Sequence, residues 1–300
     1  MSRGSPSAGR TLLLLETLAA DPARRFSLTD LRRTLGFSQG TIYALLTTLE
    51  RAGYVRRDPV DRLYSLGPAT LPVGDAARRA YPIVDQALGP MQKVADDLDT
   101  ECHAGMRVAD QILVVARLGP AQPLGVGVQV GERYPLVPPI GAAFVAWESP
   151  AAIEEYLARA APDLSQDERD RHRRGLAAVR RRGYSIHADD GPWREMNDLV
   201  GRHQAGAEPG EVDGTVRTLA RELGHYRYLV TDVDAIAPEA WIELSAPVFD
   251  ADGAVALTVG VSSIPELVAT PVEEVAARVV AATRAITRLV GGRPPLPLAG

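Results

Sequence analysis

Ile42, Leu45, Leu46 and Leu49 recur at i, i+3, i+4 and i+7, a spacing that commits this stretch to a helix with one inward stripe. Ser38 stands where an N-cap belongs, and Gly40, Tyr43, Ala44, Thr47 and Arg51 are left on the outward face. Ahead of it, Ser27-Leu28-Thr29-Asp30-Leu31 opens a shorter helix, capped by Ser27 or Thr29 and carrying Leu28, Leu31 and Leu35. Gly36 ends that helix and supplies the tight turn. Thr11 to Ala20 predicts a further helix through Leu12, Leu15 and Leu18. After Gly53, the run Tyr54 to Leu66 reads as two short strands flanking an Asp58-Pro59 turn, with Arg56, Arg57 and Arg62 on or near it. Three helices followed by an arginine-bearing hairpin, ending at Gly67, make the pattern of a winged helix-turn-helix.

In such a device the outward face of the second helix of the motif enters a major groove, its N-terminal residues nearest the bases. Ser38, Gln39 and Thr41 carry hydrogen-bonding groups there, and Gln39 is able to pair bidentately with adenine. Gly40 and Ala44 are small enough for close approach. Arg51 and the hairpin arginines suit phosphates. Charge is distributed accordingly: residues 1–67 hold ten arginines against six carboxylates, a net of +4. The remainder holds 23 basic and 32 acidic residues, a net of −9. One end of the chain is suited to meet phosphate and the other is not.

Several classes are disfavoured by the rest of the chain. No apolar run approaches the roughly 20 residues a membrane span needs, and the small, polar start lacks a signal peptide's apolar core. Cys102 is the single cysteine, which excludes an internal disulfide or a cysteine-based zinc site and fits a cytoplasmic address. The five histidines (His103, His172, His187, His203 and His225) have no metal-helix spacing, so no metal is expected. No nucleophile elbow, phosphate loop or dinucleotide glycine pattern occurs, so neither a catalytic set nor a cofactor is expected. Two other readings stay open at this stage: an enzyme with an appended helix-turn-helix, and a helix-turn-helix protein acting only through protein partners.

Beyond Gly67 a connecting helix is expected over Ala69 to Ala80, although Pro72 and Gly74 weaken it, then a clearer one from Pro82 to Leu98. The period then changes to two. Glu101–Val108 and Gln111–Leu118 read as paired strands and Leu124–Val130 as a third. Ala142–Trp147, Ala151–Ala160 and Gln166–Arg182 read as helices. Glu243–Phe249 and Ala254–Ser262 form a second hairpin, and Pro271–Val290 a closing helix. The class is α+β, with a mainly antiparallel sheet flanked by helices.

Over nearly its full length the chain resembles IclR-type transcriptional regulators. The resemblance is carried by Leu28-Thr29-Asp30-Leu31 through Thr41, Leu45-Leu46, Thr48-Leu49, Gly53-Tyr54-Val55 and Tyr64-Ser65-Leu66-Gly67. It continues in Pro135-Leu136, Gly141 to Ala146, Arg182-Gly183-Tyr184 and Ala246-Pro247-Val248-Phe249-Asp250 with Gly253. It implies an N-terminal winged helix-turn-helix (1–67), a linker helix (68–80) and a GAF-like α+β effector-binding and oligomerisation domain (81–300). It also implies homodimers or dimers of dimers on palindromic double-stranded operator DNA, and a small organic effector, carboxylic or aromatic. Gln39, Gly40 and Ala44 stand where the family commonly has a basic residue, a serine and an arginine, and Gly141-Ala142-Ala143 lacks the usual lysine. The stretch between Tyr184 and Ala246 is also several tens of residues longer than usual. This insertion, at about 190–240, includes a predicted amphipathic helix over Glu211–Leu223.

In related regulators the effector lies against the sheet. Matched to this sequence, the resemblance puts Pro123, Val126, Ile140, Gly141, His187, Trp241, Glu243, Gly260 and Ser262 at that pocket. Gly141, near a helix start, would offer backbone N–H groups to an anion. Strand alternation sets Trp241, Glu243 and Ser245 on one face, and His103, on the first sheet strand, is placed to join them. A cavity-facing Glu243 would repel a carboxylate and favour a hydroxyl or amine, while Trp241 favours an apolar or aromatic body.

Overall fold

The computed structural model describes residues 5–21, 23–120, 128–160, 164–188, 229–233, 241–262 and 270–295. They divide into two compact units, one up to Pro82 and one from Ile83 onward.

The first unit opens with α1 (Pro6–Ala20), which starts five residues earlier than the leucine pattern suggests, because Ser5 caps it ahead of a helix-starting proline. In α2 (Leu28–Leu35) Ser27, not Thr29, is the N-cap. Its hydroxyl accepts from the Asp30 N–H while the Asp30 carboxylate accepts from the Ser27 N–H, a closed capping box. The Ser27 hydroxyl also donates to the Asp30 carboxylate at 2.7 Å, and that bond comes first among the causes that hold the Asp30 carboxyl below its ordinary value. Gly36 ends the helix at φ 68°, a left-handed conformation that favours glycine. α3 (Gln39–Arg51) follows, and then the antiparallel pair β1 (Val55–Arg57) and β2 (Tyr64–Leu66). Leu14, Leu18, Leu31, Ile42, Leu46, Val55 and Tyr64 close one core, whereas Leu45 is only half-buried at its edge. α4 (Thr70–Ala80) forms despite Pro72 and Gly74 and has no buried residue.

The second unit begins with α5 (Pro82–Leu98), as its apolar spacing predicts, with Pro90 accommodated inside it. A six-stranded antiparallel sheet follows, built from β3 (Cys102–Val108), β4 (Gln111–Leu118), β5 (Arg133–Pro135), β6 (Ser185–Ala188), β7 (Trp241–Phe249) and β8 (Val255–Ser262). The spatial order is β5-β4-β3-β8-β7-β6. β5 corrects the expectation of a third strand over Leu124–Val130: residues 124–127 lie outside the described set, 128–130 are not strand, and Arg133–Pro135 pairs with β4 instead. A three-residue strand ending in proline is too short to show a period. β6 was not foreseen at all.

One face of this sheet is apolar. Cys102, Ala104, Ile186, Leu244, Ala246, Val259 and Val261 pack with Met91 and Val94 of α5 and with Val275, Val279 and Ile286 of the closing helix. The short α6 (Ala142–Val145), α7 (Pro150–Ala160) and α8 (Gln166–Arg182) form a second apolar cluster through Leu136, Phe144, Leu157, Leu176 and Val179. Ile112 and Val255 of the sheet join that cluster. α9 (Val272–Leu289) closes the unit. Among the described residues no helix is long and apolar enough to cross a membrane.

Candidate functional site

The reading surface is built from α3 and the β1–β2 hairpin. Ile42, Leu46 and Leu49 are buried, which leaves Ser38, Gln39, Gly40, Tyr43, Ala44, Thr47 and Arg51 exposed and Thr41 half-buried. Tyr43 is 59% exposed, an unusual display for a large ring. The Ser38 hydroxyl accepts from the Thr41 N–H and lies 2.9 Å from the Thr41 hydroxyl, so both are engaged in the cap. Gln39, beside them, is exposed at the first position of the helix.

The hairpin turn is held by Asp58, whose carboxylate accepts from the backbone of Val60 and Asp61. The bond from Val60 is foremost in holding the Asp58 carboxyl below its ordinary value. Arg56 and Arg62 are exposed, with Arg56 3.5 Å from Asp58 and Arg62 at a positive φ of 62°. Arg57 is less available, since its guanidinium lies over the Tyr64 ring and bonds the Arg62 carbonyl. Sequence reasoning missed Arg25, which lies 2.7 Å from Asp61 and 3.4 Å from Asp58. It pairs with two carboxylates far along the chain, a separation that no local pattern signals.

The sheet face opposite the α5 and α9 layer is polar in its centre. The register aligns Arg117, His103, Gly260, Ser245 and Ser185 as successive cross-strand neighbours. The adjoining row brings His187, Glu243 and Ser262 together. Glu243 Oε2 lies 3.3 Å from His187 Nδ1, and Oε1 lies 3.7 Å from His103 Nε2. The first distance is within reach of a hydrogen bond; the second is an electrostatic contact. Burial alone would raise the Glu243 carboxyl above its ordinary 4.5, but the facing imidazoles hold it well below. A Cβ on Gly260 would sit 2.7 Å from His103 Nε2, so the missing side chain is what lets that ring lie across the strand.

Of the remaining expected pocket residues, Pro123 and Val126 lie outside the described residues, as does the side chain of Trp241. Ile140 is buried and its carbonyl accepts from the Tyr156 hydroxyl. Gly141 has φ 83°, and a Cβ there would lie 2.2 Å from Leu136 Cδ1. It precedes a helix of only four residues, which carries little dipole, so the anion-holding role expected for it has no support in this geometry.

Sequence reasoning also missed the ion pair that closes the β3–β4 side of this face. Glu101 is fully buried and accepts from Arg117 Nε at 2.6 Å and from the Val128 N–H at 2.9 Å. Arg117 reaches on to Gln129, and Glu132 accepts from the Gln129 N–H and the Tyr134 hydroxyl. Burial is the first cause of a raised Glu132 carboxyl and of a strongly raised Tyr134 hydroxyl. Alternation along Glu101-Cys102-His103 was the signal that could have found it. Cys102 points the other way, and burial pushes its thiol up to about 12, which keeps it inert.

Fold and site together define a DNA-reading module joined in sequence to a sensor-like α+β domain. The family model described as the IclR helix-turn-helix domain matches residues 7–59, and that of the bacterial transcriptional regulator IclR C-terminal domain matches residues 76–190. Together they cover more than half of the chain. The glycerol operon regulatory protein of Streptomyces coelicolor is 25% identical over 229 residues, 74% of this chain and 89% of that protein. Among solved structures, an IclR regulator from Alicyclobacillus acidocaldarius superposes with a TM-score of 0.60 at 20% identity, covering 96% of this chain and 100% of its own. An IclR homologue from Microbacterium hydrocarbonoxydans, solved with 4-hydroxybenzoate, gives 0.58 at 17% identity over 94% and 98%. The chain belongs to the IclR family of transcriptional regulators, with a DNA-binding helix-turn-helix and a C-terminal effector domain.

Proposed function

We propose that this regulator acts as a dimer or dimer of dimers on an inverted-repeat operator in the cytoplasm, and that a small organic molecule on the polar sheet face sets its operator affinity. Residues 1–67 are the reader, 68–80 the linker and 81–300 the effector and oligomerisation domain, with an insertion at about 190–240. Two α3 helices enter successive major grooves about 34 Å apart. Gln39, Gly40, Tyr43, Ala44 and Thr47 meet base edges, Ser38 and Thr41 fix the helix start, and Arg51, Arg56, Arg57 and Arg62 face phosphates. His103, Ile140, Gly141, His187, Trp241, Glu243, Gly260 and Ser262, with Pro123 and Val126, surround the effector. A ligand that binds one spacing of the two readers better than another shifts the equilibrium by that difference.

The observation that carries this reading is the solvent face of α3, polar and small over a fully apolar inner stripe, beside a hairpin bearing exposed arginines. An enzymatic role has no such support, since the named polar groups pair with one another rather than around a nucleophile. Fluorescence anisotropy of the full chain on mixed-sequence duplex DNA tests it. Affinity should fall linearly on a log–log salt plot, and Arg56→Ala and Arg62→Ala should each reduce that slope by about 1. A salt-independent signal, or slopes unchanged in both variants, contradicts phosphate contact through the hairpin.

The polar face also sets a pH dependence. Because the Glu243 carboxyl is held below its ordinary 4.5 in the folded chain, the stability it contributes is complete above that value. It is lost as pH falls below it toward the folded-state value. The acid side of the thermal stability profile should therefore be shallower in Glu243→Gln than in the parent chain, measured by calorimetry across the acid range. Identical acid limbs contradict the assignment.

A further inference from the structure

The effector site of the preceding reading, on which this inference rests, has an acceptor at its centre and, among the described residues, no cation left over to hold an anion. Glu243 keeps 22% of its side-chain surface open, whereas Glu101 is sealed and His187 is 4% exposed. A carboxylate has about four acceptor positions, and the two imidazoles face only part of them. Arg117, the arginine in the His103 row, is already committed to Glu101 and Gln129. The Ser185 and Ser245 hydroxyls lie 2.9 Å apart and bond one another. His103 Nδ1 is buried without a hydrogen-bond partner, so the polar cluster is unfinished as it stands.

We propose that this site selects an uncharged, hydroxyl-bearing effector and rejects a carboxylate, with Glu243 accepting from the ligand's O–H groups. A ligand carboxylate beside Glu243 would place two like charges side by side, with no free guanidinium and no long helix start among the described residues of this face to offset them. A hydroxyl brings the donor that the carboxylate lacks and adds no charge. An ammonium gains less, because the imidazoles of His103 and His187 already face the carboxylate. Gly260 and Ser262 line the same two rows, so the floor beside Glu243 is low and polar.

The test is isothermal titration and thermal shift of the full chain with matched pairs that differ only by oxidation of alcohol to acid. Benzyl alcohol is compared with benzoate, propane-1,3-diol with malonate, and glycerol with tartronate. An alcohol should bind about tenfold or more tightly than its acid partner. Glu243→Gln should bring the two within a few-fold of each other, and Glu243→Asp, which keeps the charge, should preserve the preference. Circular dichroism of both variants shows that the fold is retained. An acid that binds as well as its alcohol, or a preference that survives Glu243→Gln, overturns the inference. If such an acid also changes operator affinity, the regulator reading stands without it. If no member of any pair binds and DNA affinity never moves, the inference and the effector reading fall together.

Discussion

Leu46→Ala is expected to lower the stability of the reading unit by about 2–5 kcal/mol and, with it, to abolish most DNA binding at physiological temperature. Leu46 is 1% exposed and packs among Leu14, Leu31, Ile42 and Val55. Truncation removes the transfer energy of the lost methyl groups and leaves a cavity between three short helices that have little freedom to collapse. A unit of this size has only a few kcal/mol to lose. The effect should be local. Hydrogen exchange of α1, α2 and α3 should accelerate while the strands of the second unit keep their protection. Thr47→Ala, one residue on and exposed, should stay within about 0.5 kcal/mol of the parent. Equal effects at the two positions would contradict the inward stripe that orients the whole reading face.

Arg117→Ala is the second large change, expected to cost the second unit about 3 kcal/mol, toward the lower end for a broken buried pair because the arginine is 20% exposed. The penalty comes less from the lost attraction than from what remains: Glu101, fully buried, keeps one backbone N–H and no counter-charge. The combination Glu101→Gln with Arg117→Met should therefore be more stable than Arg117→Ala alone, since it removes both charges. Urea denaturation followed by far-UV dichroism separates the cases. If the double variant is the less stable of the two, the pair contributes net attraction and the desolvation account is wrong.

How much of this was legible in the sequence depended on how local the cause was. α3 and its outward residues followed from a leucine period, and the end of α2 at Gly36 followed from the one residue that takes a left-handed turn without strain. Pro82–Leu98 was readable because five apolar positions, Ile83, Leu88, Met91, Val94 and Leu98, outweighed Pro90. Boundaries failed where a cap did the work: Ser5 and a proline extend α1 through residues that look like a frayed terminus. The candidate effector site was half-legible. Alternation puts Glu243 and Ser245 on one face, yet nothing local says that His187 on β6 lies opposite Glu243, because that pairing bridges the long stretch between the two strands. The Glu101–Arg117 pair was only half-legible: alternation sets Glu101 on the face of His103, but its partners Arg117 and Val128 lie 16 and 27 residues away in sequence. Gly260 was assigned through resemblance alone, and its physical reason, room for the His103 ring, emerges only from the register.

The measurement that bears most directly on the central claim is selection of bound sequences from a random duplex pool by the purified full-length protein. The account predicts an enriched inverted repeat whose half-sites lie about one helical turn, or a multiple of it, apart. It also predicts that Gln39→Ala changes the preferred bases within each half-site without changing their spacing. No enrichment, or an enriched single site with no symmetry, would contradict a paired reader.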